Sequence, residues 1–281
     1  MTVGRTGLEH LAKTTGKTSD SKASGAESGA SESDSGDPDP DLARLDHQLI
    51  CGDVLEALRR EVPLESVDLI FADPPYNIGV DYGFGPATDR QTTIGYGNWV
   101  MAWIMECAGH LTPSGSMWVL INESNADFVG YQMTRLVGPR RNRIIWRERF
   151  GQYQEGKFAS GHRHLFYHTK HDRDFTWNPD PIREPSVRMK MGDKRAAGPR
   201  VPDDVWDVSR LQGNCKERVG WHPAQLRQEP IERIILATSN PGDTVLDPFI
   251  GSGTTLRACI ATGRRCIGID NNPDYISRLR R

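Results

Sequence analysis

Hydrophobic and polar positions alternate between two rhythms along most of this chain. Short apolar, β-prone runs occur at about 48–51, 67–72, 116–121, 142–147, 164–169, 244–247 and 265–269, which predicts seven strands. Between them lie stretches with helical repeats. Residues 98–110 carry Trp99, Met101, Ile104 and Met105, 125–137 form a second such stretch, and 230–239 place Ile231, Ile234 and Ile235 on one face. Further helices are expected at 254–262 and, opened by Pro273, in the last segment. Strands alternating with helices predict an α/β fold, with a mostly parallel sheet covered on both faces. Two regions break the rhythm. Residues 1–45 are rich in Ser, Gly, Ala, Asp and Lys and end in Asp-Pro repeats, the composition of a disordered tail. Residues 173–221 are rich in Pro, Arg, Asp and Trp without a clear period. A loop-rich insert of that length inside a compact domain is usually functional.

Charge sharpens this division. The tail holds 5 Lys/Arg against 8 Asp/Glu, while residues 139–220 hold 18 against 11, a net of +7. A near-neutral protein with one basic segment suits a local nucleic-acid contact surface, although a basic run alone is more often a solvated face. No run of about 18 apolar residues predicts a membrane span, and Met1 to Arg5 open no signal peptide. The five cysteines form no C-x-x-C pair, which suits a reduced, cytoplasmic setting and argues against structural zinc. His162, His164, His168 and His171 lie at or near strand spacing, yet no carboxylate or cysteine pattern joins them in sequence, so no metal site is expected.

Two stretches carry candidate chemistry. Asp73-Pro74-Pro75-Tyr76 follows the apolar strand 67–72 and precedes a loop containing Gly79, Gly83, Gly85, Gly95 and Gly97. The prolines stop the strand ladder and fix a turn. The turn presents a carboxylate, backbone carbonyls and an aromatic ring at the carboxyl end of a strand, where open α/β sheets bind ligands. Such a set can grip an exocyclic amino group and stack on a planar base. The glycine loop behind it reads as a mobile lid. The second stretch, from Thr244 to Thr255, reads as strand, glycine turn and helix, with Asp247, Phe249, Gly251, Gly253 and Thr254 in the turn. The next strand ends at Asp270, 17 positions after Gly253. This is close to the spacing at which a carboxylate meets ribose hydroxyls. Leu256 replaces the third glycine of a dinucleotide fingerprint, so a nucleoside ligand without a pyrophosphate fits better. Gly52-Asp53 is read evenly as a helix N-cap or as a contact to the adenine side of such a ligand.

Together these stretches resemble the S-adenosylmethionine-dependent DNA amino-methyltransferases. Asp73 to Tyr76 match the D/N/S-P-P-Y/F catalytic motif, and Phe249, Gly251 and Gly253 match F-x-G-x-G. The catalytic motif comes first, as in the circularly permuted β class. Leu49 to Asp53, Gly161 to Lys170 and Trp221 to Gln225 are similar to further family segments. Ala224, Leu226 and Arg227 depart from the usual H-P-T-Q-K-P. The resemblance, from about Leu49 to Leu279, implies a Rossmann-like methyltransferase domain over 46–281, with a target-recognition insert at 173–221 and a cofactor-binding part at 222–281. It implies S-adenosylmethionine as cofactor, Asp73, Pro74, Pro75 and Tyr76 as catalytic residues, and cofactor contacts from Asp53, His222, Asp247, Phe249, Gly251, Gly253, Thr254 and Asp270. DNA contacts are expected from Arg183, Arg188 and Arg195. Double-stranded DNA is the expected partner, the protein is expected in the cytoplasm at the nucleoid, and a homodimer and a cognate restriction endonuclease stay open. Asp rather than Ser at the start of the catalytic motif favours adenine N6. Cytosine N4, an RNA base, or a non-catalytic DNA-binding role are the alternatives.

Overall fold

The structure is a computed structural model that describes residues 45–148, 151, 155–195, 197–213 and 215–281. The expected disordered tail lies outside the described residues except for its last position. One eight-stranded sheet organises the described residues. Its strands are β1 (Gln48–Cys51), β2 (Val67–Ala72), β3 (Leu111–Ile121), β4 (Arg140–Arg147), β5 (His162–Thr169), β6 (Val205–Asp207), β7 (Thr244–Asp247) and β8 (Arg265–Asp270). They lie in the order β1-β8-β7-β2-β3-β5-β4-β6. Every neighbouring pair is parallel except β5, which runs antiparallel to both β3 and β4.

The sheet is buried on both faces because each strand alternates its side chains. Ile70 and Ala72 of β2 join a core with Met117, Val119, Ile121 and Phe166. That core is closed by α1 (Val54–Glu61), α2 (Thr93–His110) and α3 (Glu123–Leu136) through Leu58, Trp103, Ile104, Val129 and Met133. Leu69 and Phe71 point the other way, into a core with Trp118, Leu165 and Val245. There Ile231, Ile234, Cys259 and Ile276 close it from α5 (Gln228–Thr238), α6 (Thr254–Thr262) and α7 (Pro273–Leu279). Asp68 clamps the register from the amino ends: it accepts from the Thr244 amide at 2.9 Å and the Thr112 hydroxyl at 3.2 Å.

Two local features differ from the pattern-based expectation, and the N-cap reading of Asp53 is met. The sheet has eight strands rather than seven, because Val205–Asp207 of the insert pairs with β4. Three residues are too few for alternation to show. The strand is fixed instead by the burial of Trp206, whose indole donates to the Asp203 carbonyl at 2.8 Å. Helix α1 follows Asp53, which caps it by accepting from the Leu55 and Glu56 amides at 2.9 and 3.3 Å. Helix α2 starts at Thr93 rather than 98, since Gly95 and Gly97 sit in its first turns and conceal the helical signal. Within the insert the described residues form a three-residue 3-10 turn (Asp180–Ile182), the four-residue α4 (Val187–Lys190) and β6.

Candidate active site

The strand order brings two distant turns together. β2 and β7 are neighbours, with Ile70 opposite Leu246, so the turn after Ala72 and the turn after Asp247 open side by side at the carboxyl edge. The chain leaves β2 towards β3 and β7 towards β8, on opposite sides. This is a topological switch point, the crevice where open α/β sheets bind ligands.

In the first turn the backbone is held from outside. Tyr96 of α2 donates to the Pro75 carbonyl at 2.8 Å, and Asn125 of α3 donates to the Tyr76 carbonyl at 3.0 Å. The Asp73 side chain is 18% exposed, enough to meet a ligand while largely shielded from water. The Tyr76 hydroxyl donates to its Oδ1. Arg163, on β5, donates from Nη1 to the Tyr76 oxygen at 3.2 Å, and the same nitrogen lies 3.8 Å from Asp73 Oδ2. Its Nη2 pairs with buried Glu148, which also pairs with Arg210 of the insert. Burial pushes the Asp73 pKa up, against the pull of Arg163 and of the Tyr76 hydroxyl. Burial and the neighbouring Asp73 carboxylate hold the Tyr76 phenol well above its usual range, so it stays a neutral donor. Burial also works against the Arg163 charge, but Tyr76, Asp73 and Glu148 outweigh it and raise its pKa.

The loop behind the turn is stapled along its first residues. Buried Asp89 accepts from the amides of Asn77, Ile78, Gly79 and Val80 at 2.9 to 3.2 Å. Asn77, at φ +62°, exchanges hydrogen bonds with Gln91. Asn272, the cap of α7, donates to the Tyr82 carbonyl at 2.8 Å and ties this loop to the other half of the site.

The second turn is strapped by carboxylates. Asp247 is 3% exposed and accepts from the Phe249 amide at 2.9 Å and the Thr255 hydroxyl. Asp270 accepts from the Gly251 amide at 3.0 Å and the Asn272 amide at 2.8 Å. Burial pushes Asp247 up to about 7, and the nearby Asp73 and Asp270 charges add to the rise. Burial raises Asp270 as well. Gly251 and Gly253 have φ of +44° and +77°, the left-handed region that disfavours a side chain. A Cβ on Gly251 would stand 2.7 Å from His222 Nε2. That imidazole packs between Tyr82 and Tyr275 and is held neutral, with burial lowering its pKa to about 4. Phe249 packs on Trp99 and Trp103 with ring centroids 5.5 and 5.3 Å away. Thr254 is buried, its hydroxyl 3.3 Å from the Leu226 carbonyl. Asp53 lies at the same edge, since Cys51 is opposite Asp270. Asp73, Asp247 and Asp270 thus gather negative charge around a glycine turn with a neutral imidazole over it. A ligand carrying positive charge and hydroxyl donors fits that acceptor set.

Two other expectations meet the structure here. Glu123, His162 and His164 bring donor atoms within 4.8 Å of one another at the same sheet edge, the carboxylate that the sequence pattern did not pair with them. Arg143 donates to His164 Nδ1 at 3.0 Å, so Nε2 carries the proton that meets Glu123. A metal there would have to displace that proton and sit beside a guanidinium. The expected DNA-contact arginines all lie exposed on the insert, paired with local carboxylates: Arg183 with Asp180, and Arg188 and Arg195 with Asp193. Sequence patterns did not point to Arg163, Glu148, Arg210, Asp89, Tyr96 or Asn125. Arg163 stood between two histidines that drew the attention, and the others lie in no motif.

Comparison with known proteins agrees with this geometry. The sequence profile described as DNA methylase, of the N6/N4 methyltransferases, matches residues 67–280. The chain is 38% identical over 242 residues to the DNA adenine methyltransferase YhdJ of Escherichia coli K12, covering 81% of this chain and 79% of that one. It is 34% identical to the Type II methyltransferase M.HpaI of Haemophilus parainfluenzae, covering 83% and 72%. Among solved structures, the PvuII cytosine-N4-specific DNA methyltransferase superposes with a TM-score of 0.58 at 20% identity, over 82% of this chain and 83% of that one. The M1.HpyAVI–SAM complex does so with 0.57 at 20% identity, over 83% and 96%. At such identities these two speak for the fold. With both turns of the site inside the matched span, the chain belongs to the N6/N4 DNA methylase family.

Proposed function

We propose that this DNA methylase transfers a methyl group from S-adenosylmethionine to N6 of adenine in double-stranded DNA. The observation that carries the reading is the shielded Asp73 carboxylate, set beside the glycine turn across the β2–β7 crevice. Identity of 38% to a DNA adenine methyltransferase supports adenine over cytosine. S-adenosylmethionine supplies a methyl already activated by its sulfonium, so the protein needs no nucleophile of its own. Asp270 would take its ribose hydroxyls, and Asp247, Phe249, Gly251, Gly253, Thr254, His222 and Asp53 would line the rest of its site.

The protein's own task is to orient a poor nucleophile. The lone pair of an exocyclic amine is delocalised into the ring. Hydrogen bonds from that amine to Asp73 and to the Pro74 carbonyl favour a pyramidal nitrogen and aim it. The Tyr76 hydroxyl now holds Asp73 Oδ1, and the incoming amine competes for that oxygen. The Tyr76 ring stacks on the base. Fixing both partners in one geometry supplies much of the rate. A stacked base cannot reach a carboxylate this shielded, so the target nucleotide must swing out of the duplex. Arginines of the insert, including Arg183, Arg188 and Arg195, would follow the phosphates.

Base-resolution sequencing of DNA from cells expressing the protein tests this reading. N6-methyladenine in one recurring sequence context is the expected result. N4-methylcytosine alone would move the target to cytosine, and unmodified DNA would reject the reaction.

A further inference from the structure

Arg163 is a largely shielded cation at the wall of the catalytic turn, and the methyl-transfer chemistry does not itself call for one. Its side chain is 19% exposed. One edge of the guanidinium reaches the Tyr76 oxygen and comes within 3.8 Å of Asp73, while the other pairs with Glu148. Its plane lies near the Trp146 ring, 5.6 Å from the centroid. Glu148 is 6% exposed and is shared with Arg210, which follows β6 in the insert. A carboxylate this buried, held between two arginines, fixes the fork in place. An ion pair elsewhere in the interior would serve packing alone. Here the free edge of the fork is spent on the two residues that meet the target base.

We propose that Arg163, anchored by Glu148, is a positioning residue that keeps Asp73 ionised and aimed at the target amino group. This rests on the reading of Asp73 as the acceptor for that amine. An ionised carboxylate accepts the amine's hydrogen bond from either oxygen, whereas a protonated one offers a donor where an acceptor is needed. Burial favours the protonated form, and a cation within about 4–6 Å opposes it. The groups that act on Asp73 come from several elements. Arg163 on β5 favours its charge, as does the Tyr76 hydroxyl in its own turn. Glu148 after β4 and Asp247 on β7 disfavour it. Tyr82 of the glycine loop and Tyr96 of α2 also face it, both held neutral by burial. Among these groups Arg163 alone carries positive charge. Sharing Glu148 with Arg210 further ties the catalytic carboxylate to the insert that is proposed to contact DNA.

The test is the pH profile of methyl transfer, with labelled S-adenosylmethionine and unmethylated genomic DNA. Arg163→Gln should lower kcat about 10²-fold at neutral pH. Its acidic limb should move to higher pH, because the carboxylate has lost the charge that keeps it ionised, and part of the rate should return in alkaline buffer. S-adenosylmethionine affinity should match wild type. Arg163→Lys keeps the charge but not the fork, so its limb should stay in place and its kcat should fall severalfold. A wild-type rate and profile in Arg163→Gln would overturn the proposal. So would an equal loss at every pH with the limb unmoved, which is the mark of a structural role. Should Arg163→Gln not fold by circular dichroism, Arg163→Lys decides: a displaced limb or an unchanged kcat overturns the proposal. Asp73→Ala, measured beside them, separates the two readings. Full activity in Asp73→Ala sinks the proposed function, while an inactive Asp73→Ala with a wild-type Arg163→Gln sinks this inference alone.

Discussion

The two turns at the β2–β7 crevice handle their carboxylates in opposite ways. Asp73 in the turn after β2 has a cation of its own, Arg163, with Glu148 and Arg210 behind it. Asp247 and Asp270 in the glycine turn take their hydrogen bonds from neutral donors: the amides of Phe249, Gly251 and Asn272 and the Thr255 hydroxyl. Each half is thereby built to meet a different group. A carboxylate with a built-in counter-charge stays ready to accept a hydrogen bond from a neutral amine. Burial raises all three carboxylates, but Asp73 has Arg163 opposing the rise, whereas Asp247 and Asp270 are relieved when a cationic ligand arrives. The Asp73 half is organised before any ligand binds, and the glycine half is completed by one.

Variants can upset this contrast on either side. Among variants of the two turns other than Asp73 itself, the largest loss is expected at Tyr76, which serves both the carboxylate and the base. Tyr76→Ala should cut methyl transfer by about 10²-fold by loosening the flipped base. Tyr76→Phe should be far milder, because stacking uses the ring. Single-turnover rates on duplex DNA read both. On the other side, Gly251→Val puts a branched side chain at φ +44° and drives it towards His222. The backbone strain alone costs about 1–2 kcal/mol. Calorimetry should show S-adenosylmethionine affinity down at least about tenfold, with DNA affinity kept.

Asp247 exposes the same contrast through pH. Its native pKa, about 7, is raised above that of an unfolded aspartate, so the native state holds its proton more tightly. The resulting stabilisation is fully present below the unfolded pKa of about 4 and is lost as pH rises towards 7. Asp247→Asn keeps one oxygen to accept from the Phe249 amide and turns its NH2 to donate to the Thr255 hydroxyl oxygen, without the charge. It should therefore stabilise the ligand-free protein by about 1 kcal/mol or more at pH 8, measured by denaturant unfolding, and weaken S-adenosylmethionine binding in the same buffer. The smallest effects belong to the insert. Replacing Arg183, Arg188 and Arg195 with alanine should weaken DNA binding a few-fold and flatten its salt dependence, by about 0.9 in log-log slope for each phosphate that is no longer neutralised. Asp193→Ala releases Arg188 and Arg195 from their pairing and should strengthen binding. Unchanged DNA affinity in both would place the DNA-binding surface elsewhere.

How much of this was legible in the sequence follows from how local each feature is. Asp73 to Tyr76 and Asp247 to Thr254 are contiguous stretches with their own strand before them, so both turns could be found and ordered. That they are neighbours follows from β2 and β7 pairing, which the alternation of strands and helices implied without fixing. The charged groups around Asp73 were not legible, because they come from distant positions. Arg163 meets Tyr76 across 87 positions and Arg210 meets Glu148 across 62. Asp89 gathers four amides of one loop, and an isolated aspartate among glycines carries no sign of that. The insert was read as loop and still supplies β6, because Trp206 and Val208 find burial that no periodicity announces.

The proposed role of Asp73 in orienting an adenine amine underlies all of this, and a single assay addresses it. Wild type and Asp73→Ala are given labelled S-adenosylmethionine and unmethylated duplex DNA, and the DNA is digested and analysed as nucleosides. Wild type should place the label in N6-methyladenine. Asp73→Ala should be slower by about two or more orders of magnitude, while calorimetry shows the cofactor and the DNA still bound. Label confined to N4-methylcytosine would contradict the choice of base, and full activity in Asp73→Ala would contradict the mechanism.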